Sequence, residues 1–201
     1  IDAVKIGMLG AQDVMAAVAQ ALREHQAPKV VLDTVMVAKS GDRLMPDDAV
    51  AFFKEELLPL ADVITPNLPE ASVLLGREVR ATANMHEAAR ELWDMCGGKT
   101  AVYLKGGHSA EETLRDVFYD GKAFIDLDGP RVHTKNTHGT GCSLSSAIAA
   151  LWARTDDLPQ AVRLARRYIE EAINASNDLT VTTSADVRTL VSVPANCLFS
   201  L

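Results

Sequence analysis

Apolar residues recur along the chain in two alternating patterns, one typical of buried strands and one typical of amphipathic helices. Short apolar runs predict strands at 4–9, 30–32, 62–65 and 101–105. Apolar positions at helical spacing predict helices at 13–25, 46–58, 69–75 and 85–96. This alternation is typical of an α/β fold with a mostly parallel sheet and helices on both faces.

The second half of the chain continues with a predicted hairpin and two helices. Segments 116–119 and 123–127 flank Asp120-Gly121, a favoured hairpin turn. A helix rich in small residues is predicted at 143–153, and an amphipathic helix at 158–174. The sequence contains no internal repeat and no linker-like tract, so these elements are expected to form one unit.

Composition and charge exclude several classes of function. The 201 residues are 48% hydrophobic and 23% charged, which are ordinary globular values. The isoelectric point of about 5.2 argues against nucleic acid as a partner. No apolar run approaches the roughly 20 residues that span a bilayer, so no membrane partner is expected. Three scattered cysteines, Cys96, Cys142 and Cys197, favour a reduced, cytoplasmic protein.

Loops after the strands are the places to look for chemistry, because ligands of parallel sheets bind beyond the carboxyl ends of the strands. Gly139-Thr140-Gly141 precedes the small-residue helix. Flexible glycines and the N–H groups of a helix N-terminus make a site for an anion such as phosphate. Cys142 follows in the first turn, where a lowered thiol pKa is expected. A thiolate in this position could act as a general base. Alternatively, the glycines only pack a strand against the helix and Cys142 is a core residue.

Acidic and amide side chains follow two neighbouring predicted strands. Asp33 ends one strand, and Asn67 and Glu70 follow the next. Together these residues are suited to a hydrated magnesium ion. Considered alone, Asn67 and Glu70 more simply cap the helix that begins beside them.

Two further loops carry candidate ligand contacts. Lys105 precedes Gly106 and Gly107, and its ammonium is suited to phosphates, although an exposed lysine in a turn explains it as well. Gly7 and Met8 end the first predicted strand, where they line either a pocket for a flat ring or the core. No loop has the Gly-Lys-Ser/Thr ending of a Walker P-loop or the Gly-x-Gly-x-x-Gly of a dinucleotide site. Phosphoryl transfer here would therefore use another scaffold.

Five ordered segments together resemble one enzyme family more specifically than any of them does alone. These segments are 4–9, 33–37, 65–71, 104–108 and 136–150. They resemble the hydroxymethylpyrimidine and phosphomethylpyrimidine kinases, which are thiamine-biosynthesis enzymes of the ribokinase superfamily. The resemblance runs from residue 2 to about 178. It implies a ribokinase-like, three-layer αβα fold with a mostly parallel central sheet.

The resemblance implies ATP-dependent phosphorylation of 4-amino-5-hydroxymethyl-2-methylpyrimidine and its monophosphate, with ATP and Mg²⁺ as cofactors. It makes Cys142 the general base. It makes Gly139, Thr140 and Gly141 the anion hole for the transferred phosphoryl group. Catalysis would rest on positioning and charge stabilisation.

The resemblance also assigns the nucleotide and metal contacts. Asp33 and Glu70 are expected beside the metal ion. Asn67, Lys105 and Gly107 are expected at the ATP phosphates.

The substrate pocket is expected to include Gly7, Met8 and Val35. A pyridoxal or pyridoxine kinase of the same superfamily is the nearest alternative, because both substrates are flat heteroaromatic rings bearing a hydroxymethyl group. A catalytically silent fragment that acts through binding or assembly is the alternative of a different class. The family resemblance further implies a homodimer.

Three departures from the family pattern bear on these expectations. The family normally begins with some tens of residues that this sequence does not contain, so its first strands and one wall of the substrate pocket are expected to be lacking. Thr34 stands where the family usually has proline. Residues 179–201 do not resemble the family and are predicted to form an atypical tail after an N-terminally incomplete kinase domain at 1–178.

Overall fold

Six strands among the described residues form one sheet in which spatial order follows sequence order. The computed structural model describes residues 1–37, 44–80, 82–107, 113–134 and 136–176, so the tail predicted at 179–201 lies outside the described residues. The strands are β1 (Val4–Ile6), β2 (Val30–Leu32), β3 (Val63–Ile64), β4 (Ala101–Leu104), β5 (Thr113–Tyr119) and β6 (Phe124–Pro130).

Strands β1 to β4 are parallel, whereas β5 and β6 are antiparallel to their neighbours. The carboxyl ends of the four parallel strands therefore lie at one edge of the sheet. The β5–β6 hairpin turns at Asp120, whose carboxylate accepts hydrogen bonds from the N–H groups of Lys122 and Ala123, each at 2.9 Å. Gly121 follows Asp120 with a φ of 85°, a conformation that favours glycine.

In the part of the chain that the structure describes, six α-helices cover the sheet. They are α1 (Gln12–His25), α2 (Asp47–Phe52), α3 (Leu68–Leu75), α4 (Met85–Met95), α5 (Thr140–Thr155) and α6 (Leu158–Ala175). Helix α2 continues into a π-helical turn, Phe53–Leu57, and a 3₁₀ turn, Leu58–Leu60, and a second 3₁₀ turn, Thr82–Asn84, precedes α4. None of the helices within the described ranges is long and apolar enough to cross a membrane.

Within the described ranges, two hydrophobic cores lie on opposite faces of the sheet. One contains the buried side chains of α1 to α4, and the other contains those of α5 and α6. Neighbouring strand residues point to opposite faces, so Leu32 joins the first core and Val31 the second. Because both faces are covered, the parallel strands are continuous apolar runs, and the predicted α/β class is confirmed.

The first strand differs from its predicted length. It was expected to span 4–9, but β1 ends at Ile6. Its partner β2 supplies register positions only from Val30 to Leu32. Residues 7–10 therefore leave the sheet as a loop at the edge where the parallel strands end, and Met8 is 58% exposed there.

Candidate active site

The carboxyl ends of the parallel strands meet around one buried carboxylate, that of Asp33, which is 1% exposed. The Thr65 hydroxyl and the Lys105 ammonium donate hydrogen bonds to its Oδ1 at 3.0 and 3.2 Å. The Ser145 hydroxyl of α5 donates to its Oδ2 at 3.2 Å, and the Lys5 ammonium lies 3.9 Å from that oxygen. Asp33 thus joins the ends of β1 to β4 to the first turns of α5.

The electrostatics of this site keep Asp33 ionised. Burial on its own raises the pKa of the carboxyl group, but the ammonium groups of Lys105 and Lys5 more than offset it. The pKa of Asp33 consequently lies below its ordinary value. At neutral pH the site contains a buried carboxylate held between two cations.

Asn67 and Glu70 form a complete capping box at the start of α3. The Asn67 side chain accepts a hydrogen bond from the Glu70 N–H at 2.8 Å, and the Glu70 carboxylate accepts one from the Asn67 N–H at 2.9 Å. The capping interpretation of these two residues is therefore confirmed. The Glu70 carboxylate also has a contact outside the capping box. Its Oε2 accepts a hydrogen bond from the Thr34 hydroxyl at 3.1 Å.

Glu70 is buried near Asp33, with an exposure of 3%. Burial raises the pKa of Glu70, and Lys105 and the Asn67 N–H offset this only in part. The nearby Asp33 charge raises it further. A cation placed between the two carboxylates would relieve this repulsion.

The donor set at this edge fits a magnesium ion that keeps much of its hydration shell. Carboxylate and hydroxyl oxygens are hard ligands that suit Mg²⁺. Among the described residues no group of three or more His, Cys, Asp or Glu side chains could hold a metal ion. Mg²⁺ is usually bound by one or two carboxylates together with water and substrate phosphates, and Asp33 and Glu70 can supply that pair.

The N-terminus of α5 forms a candidate anion hole. Gly139 is the N-cap with a φ of 79°, a left-handed conformation that favours glycine, and the helix begins at Thr140. Unpaired N–H groups of a first helical turn and the helix dipole both favour an anion at this point. A Cβ on Gly141 would lie 3.3 Å from the Lys105 ammonium, so the cation lies directly over the turn.

Cys142 is exposed in this first turn. Its thiol pKa differs from the sequence expectation: desolvation raises it, and the Asp33 carboxylate raises it further, with Lys5 and Lys105 offsetting only part of the effect. The expectation of a lowered thiol pKa is therefore wrong: partial burial is the larger cause of the raised pKa, and the neighbouring Asp33 carboxylate is the next.

The remaining predicted site residues lie on loops at the same edge. The Lys105 N–H donates to the Pro66 carbonyl at 2.8 Å, and Gly107 is exposed two residues later. The Val35 N–H donates a hydrogen bond to the Asp33 carbonyl at 2.9 Å, so Val35 lies in a tight turn two residues after Asp33. Gly7 approaches Lys5 so closely that a Cβ there would lie 2.9 Å from the ammonium.

A shallow groove that is open to solvent lies beside the start of α5. Its apolar lining is Tyr168, Ile169, Ala172 and Ile173 of α6, and its polar lining is Asn136, His138, Thr140, Ser143 and Ser176. The sequence predicts α6 as an amphipathic helix, and apolar spacing does not distinguish a residue that lines a groove from one that packs in the core.

Four of the described residues contact the site carboxylates although the sequence pattern indicates no role for them. These are Lys5, Thr34, Thr65 and Ser145. Lys5 and Thr65 lie near the carboxyl ends of strands, the criterion that selected Asp33, so their placement could have been predicted. Ser145 contacts Asp33 across 112 positions of sequence, and no local pattern reveals such a contact.

A family model for phosphomethylpyrimidine kinases matches residues 1–186 of the chain. A hydroxymethylpyrimidine/phosphomethylpyrimidine kinase of Rhizobium meliloti is 44% identical over 182 residues, which are 90% of this chain and 67% of the relative. A thiamine biosynthesis bifunctional protein of Geobacter sulfurreducens is 44% identical over 179 residues, which are 89% of this chain and 36% of that protein. The chain thus spans about a third to two thirds of the length of these relatives.

Solved structures with the same fold include kinases of two kinds. An ADP complex of Bacillus subtilis pyridoxal kinase has a TM-score of 0.78 and 36% identity, over 86% of this chain and 64% of that one. A phosphomethylpyrimidine kinase from Clostridium difficile has a TM-score of 0.74 and 32% identity, over 86% of this chain and 69% of that one. The ribokinase-like α/β fold expected from the sequence is confirmed.

Proposed function

The chain belongs to the phosphomethylpyrimidine kinase family, and we propose that it transfers the γ-phosphoryl group of ATP to 4-amino-5-hydroxymethyl-2-methylpyrimidine and to its monophosphate. One observation carries the proposal. A helix N-terminus with a left-handed glycine cap, an ammonium over its first turn and an exposed thiol in that turn lie together at the edge where the strands end. These are the parts that phosphoryl transfer needs: an anion hole, a cation and a base.

The triphosphate would lie between Lys105 and the first turn of α5. The N–H groups of Gly139, Thr140 and Gly141 would stabilise the charge that develops on the transferred group. Thr140 also lines the groove between α5 and α6, which offers the Tyr168 ring and aliphatic side chains to a flat purine. We therefore assign the nucleoside of ATP to this groove and its phosphates to the helix end.

Cys142 would act as the general base. Its thiolate would take the proton of the substrate hydroxyl as that oxygen bonds to the γ-phosphorus. The bond from the γ-phosphorus to the bridging oxygen would break, and the electron pair would leave with ADP. Lys105 and the α5 N–H groups would hold the phosphoryl group in line with the attacking oxygen during this step.

Asp33 and Glu70 would hold hydrated magnesium at the phosphates. The bound ion would neutralise charge on the β- and γ-phosphate oxygens. Asp33 also positions Lys105 independently of the metal ion, because its carboxylate accepts a hydrogen bond of 3.2 Å from the Lys105 ammonium. Thr65 and Ser145 would keep that carboxylate in place.

Pyridoxal is the second candidate substrate, and the likeness to the Bacillus subtilis pyridoxal kinase favours testing it. Gly7, Met8 and Val35 would border either ring. The deciding experiment measures ADP release and phosphorylated product with each substrate in parallel. Preferential phosphorylation of the pyrimidine would support the proposal, and preferential phosphorylation of pyridoxal would replace the substrate but keep the reaction. Absence of turnover with both would contradict the proposal and favour a role in binding or assembly.

A further inference from the structure

A buried carboxylate outside the candidate active site, that of Asp116 in β5, joins three parts of the fold. Its Oδ1 accepts a hydrogen bond from the Gly106 N–H at 2.7 Å. Its Oδ2 accepts one from the Tyr103 hydroxyl of β4 at 2.8 Å and lies 3.2 Å from Nε of Arg166 in α6. We call these four residues the Asp116 cluster.

Packing alone does not account for this cluster. Asp116 is 8% exposed and Tyr103 is fully buried. Burying charged groups is costly, and replacing a buried ion pair by apolar residues of similar size is often neutral or stabilising. The part of the cluster that apolar side chains could not replace is the hydrogen bond to the Gly106 backbone.

Gly106, whose N–H donates this hydrogen bond, is the residue after Lys105. The backbone of Gly106 lies against β5 so closely that a Cβ would overlap the Arg115 carbonyl oxygen. On its other side the loop is held by the hydrogen bond from the Lys105 N–H to the Pro66 carbonyl, at 2.8 Å. Held from both sides, the backbone at 105–106 sets the direction of the Lys105 side chain toward Asp33 and Gly141.

We infer that Asp116 is a positioning residue for the phosphoryl transfer: through the Gly106 N–H it keeps the Lys105 ammonium over the anion hole. The inference rests on the proposed function, because only then does Lys105 have a triphosphate to contact. Arg166 neutralises the same carboxylate from α6, the helix that lines the nucleoside groove. The cluster thereby ties the phosphate side of the ATP site to its nucleoside side.

The test compares kinetic constants of three single variants of the full chain. Asp116→Ala removes the acceptor of the Gly106 N–H, and we expect the KM for ATP to rise on the order of tenfold and kcat to fall, since small displacements at a reacting centre are costly. The KM for the pyrimidine should stay near the wild-type value. Asp116→Asn keeps an amide oxygen for the Gly106 N–H and should restore most of the ATP affinity.

Tyr103→Phe is the matched control, because it removes a different donor from the same carboxylate and leaves the Gly106 hydrogen bond in place. It should lower Tm without changing the KM for ATP. If Asp116→Ala proves unstable, the double variant Asp116→Ala/Arg166→Met removes both members of the Asp116–Arg166 ion pair, whereas the single variant leaves the guanidinium paired with Glu170 at 3.1 Å. An unchanged KM for ATP in the alanine or double variant would overturn the inference and leave Asp116 a stabilising residue only.

Hydrogen exchange of the Gly106 amide separates this inference from the proposed function. The amide should be protected in the wild type and in Tyr103→Phe, and should exchange faster in Asp116→Ala. Fast exchange in the wild type would overturn the inference directly. If the amide is protected but the wild type phosphorylates no substrate, the proposed function fails and the role of Asp116 in transfer fails with it.

Discussion

At the scale of single residues, Cys142 combines an exposed position at a helix N-terminus with a raised pKa. A general base acts in its deprotonated form, so its active fraction grows as the pH rises toward that pKa. We expect kcat/KM to increase with pH through the neutral range. Cys142→Ala should lower turnover about 10²- to 10⁴-fold, the usual contribution of a positioned base.

Cys142→Asp supplies the control for this pH dependence. A carboxylate is ionised well below neutral pH, with an ordinary pKa of about 3.9. The aspartate variant should therefore retain activity, and its kcat/KM should begin to rise at a lower pH than that of the wild type. A pH–rate profile that is the same for the cysteine and aspartate forms would remove Cys142 from the role of base.

The described cysteines should also differ in reactivity toward iodoacetamide. Cys96 is 3% exposed, and burial raises the pKa of its thiol to about 11. The reacting species is the thiolate, so Cys96 should resist modification while the exposed Cys142 is labelled. Peptide mass mapping in a Cys197→Ser background measures both sites. ATP together with the pyrimidine should slow labelling of Cys142. A labelling rate that neither ligand changes would show that the two ligands bind away from Cys142.

At the scale of elements, α3 depends on the same carboxylate that is assigned to the metal ion. Glu70→Gln keeps a side-chain acceptor for the Asn67 N–H, because glutamine also serves in capping boxes. The variant should hold its Tm close to that of the wild type and require more magnesium for half-maximal activity. Asn67→Ala is the converse variant and should cost roughly 0.5–2 kcal/mol of stability. An unchanged magnesium titration in Glu70→Gln would confine Glu70 to capping.

Helix α5 is held at its other end by Lys29, whose ammonium bonds to the Trp152 carbonyl at 3.3 Å and to Asp156 at 2.7 Å. Lys29 has a φ of 51°, so it adopts a conformation that costs a non-glycine residue roughly 1–2 kcal/mol. Lys29→Ala loses the contacts of the ammonium with Trp152 and Asp156 and keeps the strained backbone. Lys29→Gly loses the same contacts but relieves the backbone strain. We expect the glycine variant to have a higher Tm than the alanine variant.

Two results would be informative about this helix end. Asp156→Asn should change Tm little, because the side chain of Asp156 is 86% exposed and exposed ion pairs contribute little. An alanine variant more stable than the glycine variant would show that the left-handed conformation at Lys29 carries no strain.

At the scale of the whole molecule, features that depend on residues close together in sequence could be predicted, whereas contacts between distant segments could not. Strand β2 and helix α1 depend on apolar spacing and neighbouring turns, so their bounds came out nearly as expected. Asp33 was found because it ends a buried strand. Its contact with Ser145 and the pairing of Asp116 with Arg166 depend on how distant elements pack, and local patterns carry no such information.

ATP should stabilise the entire fold if the proposed site is correct. Ligand that binds only the folded state adds about 2.7 kcal/mol at a concentration one hundred times its Kd. In a chain of 201 residues this corresponds to a rise in Tm of roughly 5–10 °C. The rise should be measured with ATP and magnesium in wild type and in Lys105→Ala, where loss of the ammonium beside Gly141 should reduce it at equal ATP. A Tm that does not move at millimolar ATP would mean that the anion hole, Lys105 and the groove do not together bind the nucleotide.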